Sequence, residues 1–75
     1  MRPERVFGVT FHFASVDNAV AFLAHASKVT AAYARFVKIT HSGTQVRVDF
    51  VVDSIGKEVV DSLQAQLLAH ANTLA

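Results

Sequence analysis

The fold of this chain is decided by one stretch of sequence, FVKITHSGTQVRVDFVV at positions 36–52. Apolar and polar residues alternate on both sides of Ser42-Gly43, which is the pattern of two half-buried strands joined by a tight turn. Directly opposed residues share a face of the sheet, so a two-residue loop at Ser42-Gly43 collects the apolar residues on one side. The predicted pairs are His41–Thr44, Ile39–Val46 and Val37–Val48. The predicted inward set is Val37, Ile39, Val46, Val48 and Phe50.

Before this hairpin the sequence predicts a strand and then a helix. The strand covers residues 5–13, and its inner face is aromatic because Phe7, Val9, Phe11 and Phe13 alternate with smaller or polar residues. Ser15 is placed to cap a helix of about four turns. The apolar residues at helical spacing are Ala19, Phe22, Leu23, Ala26, Val29 and Tyr33.

After the hairpin, Asp53-Ser54 is the expected cap of a second helix over about residues 55–72. Its predicted inward residues are Val59, Val60, Leu63, Leu67 and Ala71. Residues 1–75 therefore form a single α+β domain with the element order β-α-β-β-α. We expect a two-layer sandwich, with an antiparallel sheet and both helices on one of its faces.

Composition narrows the function classes. The absence of cysteine excludes disulfides and thiolate metal sites, and a net charge of +1 argues against nucleic acid as the main partner. No apolar run approaches the ~18 residues of a membrane span, and Met1-Arg2-Pro3-Glu4 does not begin like a signal peptide. We therefore expect a cytoplasmic protein without a membrane partner. A hydrophobic content of 52% in 75 residues favours self-association, most simply as a homodimer.

The titratable residues give no catalytic or metal-binding signature. The four histidines are not spaced as a local metal pair, and the carboxylates are scattered, with no acid/base pair among them. We predict no catalytic residue, no metal and no cofactor. The histidines with the best claim to a ligand are His12, on the first strand, and His41, beside the hairpin turn.

The outer face of the hairpin is more informative. The predicted register sets Lys38 opposite Arg47 and Phe36 opposite Asp49, and two opposed cations repel unless a carboxylate or an acidic partner offsets them. Apolar residues without a core surround this basic centre, a composition typical of protein-binding surfaces. The predicted partner-binding residues are Arg35, Phe36, Lys38, Arg47 and Val51. The alternative is a solvated strand surface with a dimer contact at one end.

Two groups of residues have a characteristic spacing: Phe11-His12-Phe13, Ala19 and Phe22 in the first strand and helix, and Gly56, Asp61 and Leu63 after the hairpin. The first group resembles the strand and helix of the pterin-4a-carbinolamine dehydratases in spacing, and the second is similar to a later part of that family's pattern. The resemblance covers about residues 9–68. It implies a pterin-dehydratase-like α+β domain.

The same resemblance implies that catalysis has been lost. The family's activity resides in a His-His-Pro motif between helix and hairpin, where this chain has Tyr33-Ala34-Arg35, and the position of a later histidine falls near Asp53. The reaction needs a group that transfers protons near neutral pH, which Ala34 and the permanently charged Arg35 do not provide. The family's N-terminal helix and first strand have no counterpart either. The family resembles non-enzymatic helpers as well, including a group that assists Rubisco assembly in proteobacterial carboxysomes.

The sequence thus supports two main hypotheses. The first is a non-catalytic, dimeric protein-interaction module, such as an assembly factor or chaperone-like helper for an enzyme complex. The alternative is a small pterin-type dehydratase or ligand-binding enzyme with a rearranged site at His12 or His41. A third interpretation, a ligand-sensing module of the ferredoxin-like β-α-β-β-α-β type, would need a strand after Asn72.

Overall fold

A computed structural model describes residues 5–74 as an α+β domain with a three-stranded antiparallel sheet. The strands are β1 (Val6–His12), β2 (Val37–Ser42) and β3 (Gln45–Val51), and their order in the sheet is β1-β3-β2. The helices are α1 (Val16–Val29), α2 (Val52–Ile55) and α3 (Lys57–Leu74), with a 3₁₀ helix at Ala31–Phe36. The fold class is confirmed, although the predicted five-element order omitted two short helices. The segment 1–4, used above to argue against a signal peptide, lies outside the described residues.

The hairpin has the predicted loop length but a different register. The loop is Gly43-Thr44, and the strand pairs are Ser42–Gln45, Ile39–Val48 and Val37–Phe50. Gly43 has φ +58, and no non-glycine residue of the described chain, Thr44 included, has a positive φ. This suits a two-residue turn in which only the first loop residue has a positive φ. With the loop at Ser42-Gly43, serine would take that first position. The predicted pairs His41–Thr44, Ile39–Val46 and Val37–Val48 were therefore wrong by two residues.

The sheet has one buried face and one exposed face. Because side chains alternate along a strand, a register error of two residues leaves the buried face unchanged. On this face Phe11 pairs with Val46 and Val9 with Val48 in the β1–β3 ladder. The core joins these strand residues to both long helices. Its buried members are Phe11, Phe13, Ala19, Phe22, Ala26, Val46, Val48, Phe50, Val60, Leu63 and Leu67.

The first long helix follows its predicted cap. Ser15 Oγ accepts a hydrogen bond from the Asn18 N–H at 3.2 Å, and α1 ends at Val29. Thr30 closes the helix, because its N–H and its Oγ1 both bind the carbonyl of Ala26, at 3.0 and 2.8 Å. Tyr33, expected on this helix, belongs to the 3₁₀ helix that leads into β2.

The second predicted helix is broken in two. Gly56 has φ +98 and separates α2 from α3, whereas the sequence placed it in the first turn of a continuous helix. Asp53 lies within α2 and binds Arg5, so its predicted capping role was wrong. Val60, Leu63 and Leu67 are buried as expected. Among the helices of residues 5–74, none combines the length and apolar content that crossing a membrane requires.

Candidate functional site

An open groove of about 580 Å³ lies at the end of the sheet where β2 begins and β3 ends. We call this feature the groove. Its main lining residues are Val6, Ala34, Arg35, Phe36, Lys38 and Val51, with Asp49 at the wall. The structure therefore brings together four of the five residues predicted to bind a partner.

Local structure explains why the groove is apolar yet uncovered. Val6 pairs with Val51 in the β1–β3 ladder. The 3₁₀ helix ends at Phe36, directly before the edge strand β2. Val6 is 60% exposed and Phe36 is 37% exposed, so neither side chain is buried in the core. An apolar surface of this kind is typical of an interaction site.

The fifth predicted residue, Arg47, does not line the groove, but it forms an ion pair with Asp49, which does. Its Nε donates to Asp49 Oδ1 at 3.0 Å, two residues along the same strand and on the same face. The pair lies over Gly8 of β1, where a Cβ would overlap with Asp49 Oδ1 and Arg47 Nη2. The missing side chain at Gly8 thus makes room for the ion pair on the exposed face.

The observed register corrects the predicted charge pattern. Lys38 stands opposite Asp49 and Arg47 stands opposite Thr40, so the expected direct opposition of Lys38 and Arg47 was wrong. Within residues 5–74 the ion pairs are Arg5–Asp53, Arg47–Asp49 and Lys57–Asp61. Arg35 and Lys38 line the groove without belonging to any of them.

The two histidines of the alternative hypothesis do not meet. His12 pairs with Gln45 at the end of β1, on the exposed face, whereas His41 pairs with Val46 and follows the alternation of the buried face. His41 Nε2 is 2.8 Å from the carbonyl oxygen of Gly43, so the ring is tied to the turn. The alternation therefore gives them no common pocket.

The other two histidines, His25 and His70, form a contact that no sequence pattern indicated. His25 of α1 and His70 of α3 stack with ring centroids 3.8 Å apart and an interplanar angle of 15°. Partial burial lowers the pKa of His25, and the nearby His70 and Lys28 lower it further because positive charges repel. The two residues lie on separate helices, so only the docking of those helices could have indicated the pair.

A second charged contact anchors the start of β1. The Arg5 backbone N–H donates to Asp53 Oδ2 at 3.0 Å, and Arg5 Nε donates to Oδ1 at 2.8 Å. These hydrogen bonds lower the pKa of the Asp53 carboxyl. The Asp53 carboxylate thus holds the residue that precedes β1.

Within residues 5–74, no group of three His, Asp or Glu side chains is arranged to hold a metal ion. Comparison with models of protein families and a search of curated proteins find no match to this chain. The groove is therefore the feature from which a function can be inferred.

Proposed function

We propose that this protein is a non-catalytic interaction module that binds another protein through the groove, as an assembly factor or chaperone-like helper of an enzyme complex does. In this proposal the helices form one layer on the buried face of the sheet. The second face then stays free for a partner. We place the protein in the cytoplasm.

One observation supports this proposal most strongly. The groove unites exposed apolar side chains, Val6 and Phe36, with two cations that have no ion pair in the described chain, Arg35 and Lys38. Protein-binding surfaces combine an apolar centre with charged residues at the rim, and arginine and aromatic residues are enriched in them. A solvated strand surface would not need an exposed phenylalanine.

The resemblance to pterin dehydratases supports the absence of catalysis in this proposal. The stretch aligned with the family's catalytic motif is Tyr33-Ala34-Arg35, and Ala34 and Arg35 line the groove. On this alignment the groove occupies the place of the family's catalytic residues, with alanine and arginine instead of histidines. Neither side chain transfers a proton near neutral pH.

The competing enzyme hypothesis receives less support from the geometry. A pterin-type site at His12 or His41 would have to use one histidine alone, since alternation places them on opposite faces of the sheet. Incubation with a pterin carbinolamine tests this hypothesis directly. Turnover above the uncatalysed rate, lost in His12→Gln or His41→Gln, would replace our proposal with the enzyme.

We also propose that the module is a homodimer. β1 and β2 are the edges of the sheet, and exposed edges are usually paired or protected. An 8.1 kDa domain gains stability from association because its own core is small. Analytical ultracentrifugation at tens of micromolar should show a dimer or a larger species; a monomer at that concentration would contradict the proposal.

Site-specific photo-crosslinking tests partner binding in the full chain. A benzophenone amino acid replaces Phe36 in the groove or Leu68 on α3, which is also exposed but does not line the groove. After irradiation in the cells that produce the protein, we expect a partner crosslinked from position 36 and absent from position 68. Identical products from both positions, or none from position 36, would contradict the proposed function.

A further inference from the structure

We propose that the groove binds a segment of the partner protein in which carboxylates flank apolar side chains, and that Gly8 keeps Lys38 available for one of those carboxylates. This inference rests on the proposed function. It adds the chemistry of the partner and a role for a glycine that the groove itself does not include.

The first argument is charge. Arg35 and Lys38 both line the groove, and neither side chain takes part in an ion pair with another of the described residues. The groove's own carboxylate, Asp49, is engaged by Arg47 at 3.0 Å. The charges open to a partner are therefore positive, and carboxylates are their complement in a protein.

The second argument is the apolar surface beside those charges. Val6, Phe36 and Val51 offer apolar area within the same groove. Nucleic-acid sites need phosphate contacts from many cations, whereas this groove has two and the whole chain has a net charge of +1. An acidic and apolar protein segment fits the groove better than a polyphosphate strand does.

The third argument concerns competition for Asp49. Lys38 stands directly opposite Asp49 in the β2–β3 ladder, a position from which opposite charges ordinarily attract. The carboxylate instead binds Arg47, whose guanidinium lies over β1. Arg47 can lie there only because residue 8 has no side chain. The glycine thus keeps Asp49 with Arg47 and leaves Lys38 free.

Gly8→Ala is the substitution that isolates this arrangement. Gly8 is not among the glycines with positive φ, so the backbone accepts alanine. The added Cβ would overlap with Asp49 Oδ1 and Arg47 Nη2, which are ends of side chains that can move. We expect the Arg47–Asp49 ion pair to open and Asp49 to turn to Lys38, which would close the anion site without unfolding the domain.

The test uses fluorescent synthetic peptides and fluorescence anisotropy. The probe peptide has the core Asp-Leu-Phe-Glu; its controls have Asn-Leu-Phe-Gln, without charge, and Asp-Ser-Ser-Glu, without apolar side chains. We expect the wild-type protein to bind the probe about tenfold more tightly than either control, since both kinds of contact contribute. Lys38→Glu should weaken binding by about tenfold. Lys28→Glu makes the same charge change on α1, outside the groove, and should leave binding unchanged.

The decisive variants are Gly8→Ala and the double variant Gly8→Ala/Asp49→Asn. Gly8→Ala should weaken binding of the probe nearly as much as Lys38→Glu does, while circular dichroism shows an unchanged fold. The double variant should restore binding, because the neutral amide no longer holds Lys38. Normal binding in Gly8→Ala, or no recovery in the double variant, would overturn the role of Gly8.

Other outcomes would overturn the chemistry of the partner. The first is that the uncharged peptide binds as tightly as the probe, and the second is that a single-stranded DNA oligonucleotide binds more tightly than the probe. The third is that the protein is a dimer, binds no peptide and dissociates when Phe36 is replaced by alanine, which would identify a second copy as the occupant. A partner that crosslinks at position 36 but binds Lys38→Glu normally would leave the proposed function standing and remove this inference. Failure of the crosslinking as well would remove both.

Discussion

The two faces of the sheet differ in what their residues require. On the buried face, Phe11, Val46 and Val48 belong to the core cluster that also includes residues of both long helices, and their requirement is removal from water. On the exposed face, Arg47, Asp49 and Lys38 interact pair by pair, and the outcome depends on which residue stands opposite which. The buried face thus tolerates errors of register that would rearrange the charges of the exposed face.

The largest expected effect lies on the buried face, at Phe22. Its ring is fully buried, with centroids 4.7 Å from Phe11 and 5.0 Å from Phe13. Phe22→Ala should reduce the free energy of unfolding by about 3–5 kcal/mol, because both apolar burial and packing are lost. Urea denaturation followed by circular dichroism measures it, with Phe22→Leu as a milder variant that should still fold. A loss below about 1 kcal/mol for Phe22→Ala would contradict this account of the core.

The next effect is expected at the hairpin turn that sets the register. Gly43 has φ +58 and open space around it, so Gly43→Ala introduces backbone strain without a clash. We expect a loss of about 1–2 kcal/mol in the free energy of unfolding, the cost of a left-handed L-residue. Thr44→Ala is the control, because this neighbouring loop residue has no positive φ, and it should change stability by no more than about 0.5 kcal/mol. Equal losses in the two variants would argue against the Gly43-Thr44 loop.

The comparison also explains what the sequence could predict. Shifting the hairpin loop from Ser42-Gly43 to Gly43-Thr44 moves every pair by two residues and therefore preserves the alternation. The buried hairpin residues Val46, Val48 and Phe50 were for that reason predicted correctly from an incorrect register, whereas Phe7 of β1, also predicted on the inner face, is 40% exposed. The predicted opposition of Lys38 and Arg47 was wrong, because charge pairing depends on the register itself.

Parts of the structure that depend on docking were beyond the sequence. The stack of His25 on His70 joins two helices that are distant along the chain, and the contact of Arg5 with Asp53 joins β1 to α2. Local sequence patterns do not predict contacts between residues that are distant along the chain. Four of the eight residues that line the groove were grouped from the sequence, because exposed apolar and basic side chains on one hairpin face form a visible pattern; their role in binding a partner stays a prediction.

A smaller effect is expected from the histidine stack as pH falls. The pKa of His25 is lower in the folded protein than the ordinary value of about 6.5 expected in the unfolded chain. The unfolded chain therefore binds more protons as the pH drops below that value, and stability falls in this window and is fully present above it. The melting temperature of the wild type should decrease between about pH 7.5 and the folded-state pKa.

The variant His25→Gln separates this effect from other titrations. It should flatten the pH dependence of the melting temperature in the same window, because the side chain with the lowered pKa is removed. Asp53 titrates at lower pH, because its hydrogen bonds with Arg5 lower the pKa of its carboxyl. A wild-type melting temperature that rises as the pH is lowered through this window would contradict the assignment.

The central claim is that the groove on the exposed face binds a partner and contributes little to folding, and Phe36→Ala tests it most directly. The partner identified by crosslinking from position 36 is passed over immobilised wild-type protein and over immobilised Phe36→Ala protein, and the amount retained on each is measured. The free energy of unfolding of both proteins is measured beside it. The account predicts that Phe36→Ala still folds, with its free energy of unfolding lowered by no more than about 1–2 kcal/mol because the side chain is partly exposed, and loses the partner. A stable Phe36→Ala protein that retains the partner as the wild type does would contradict it.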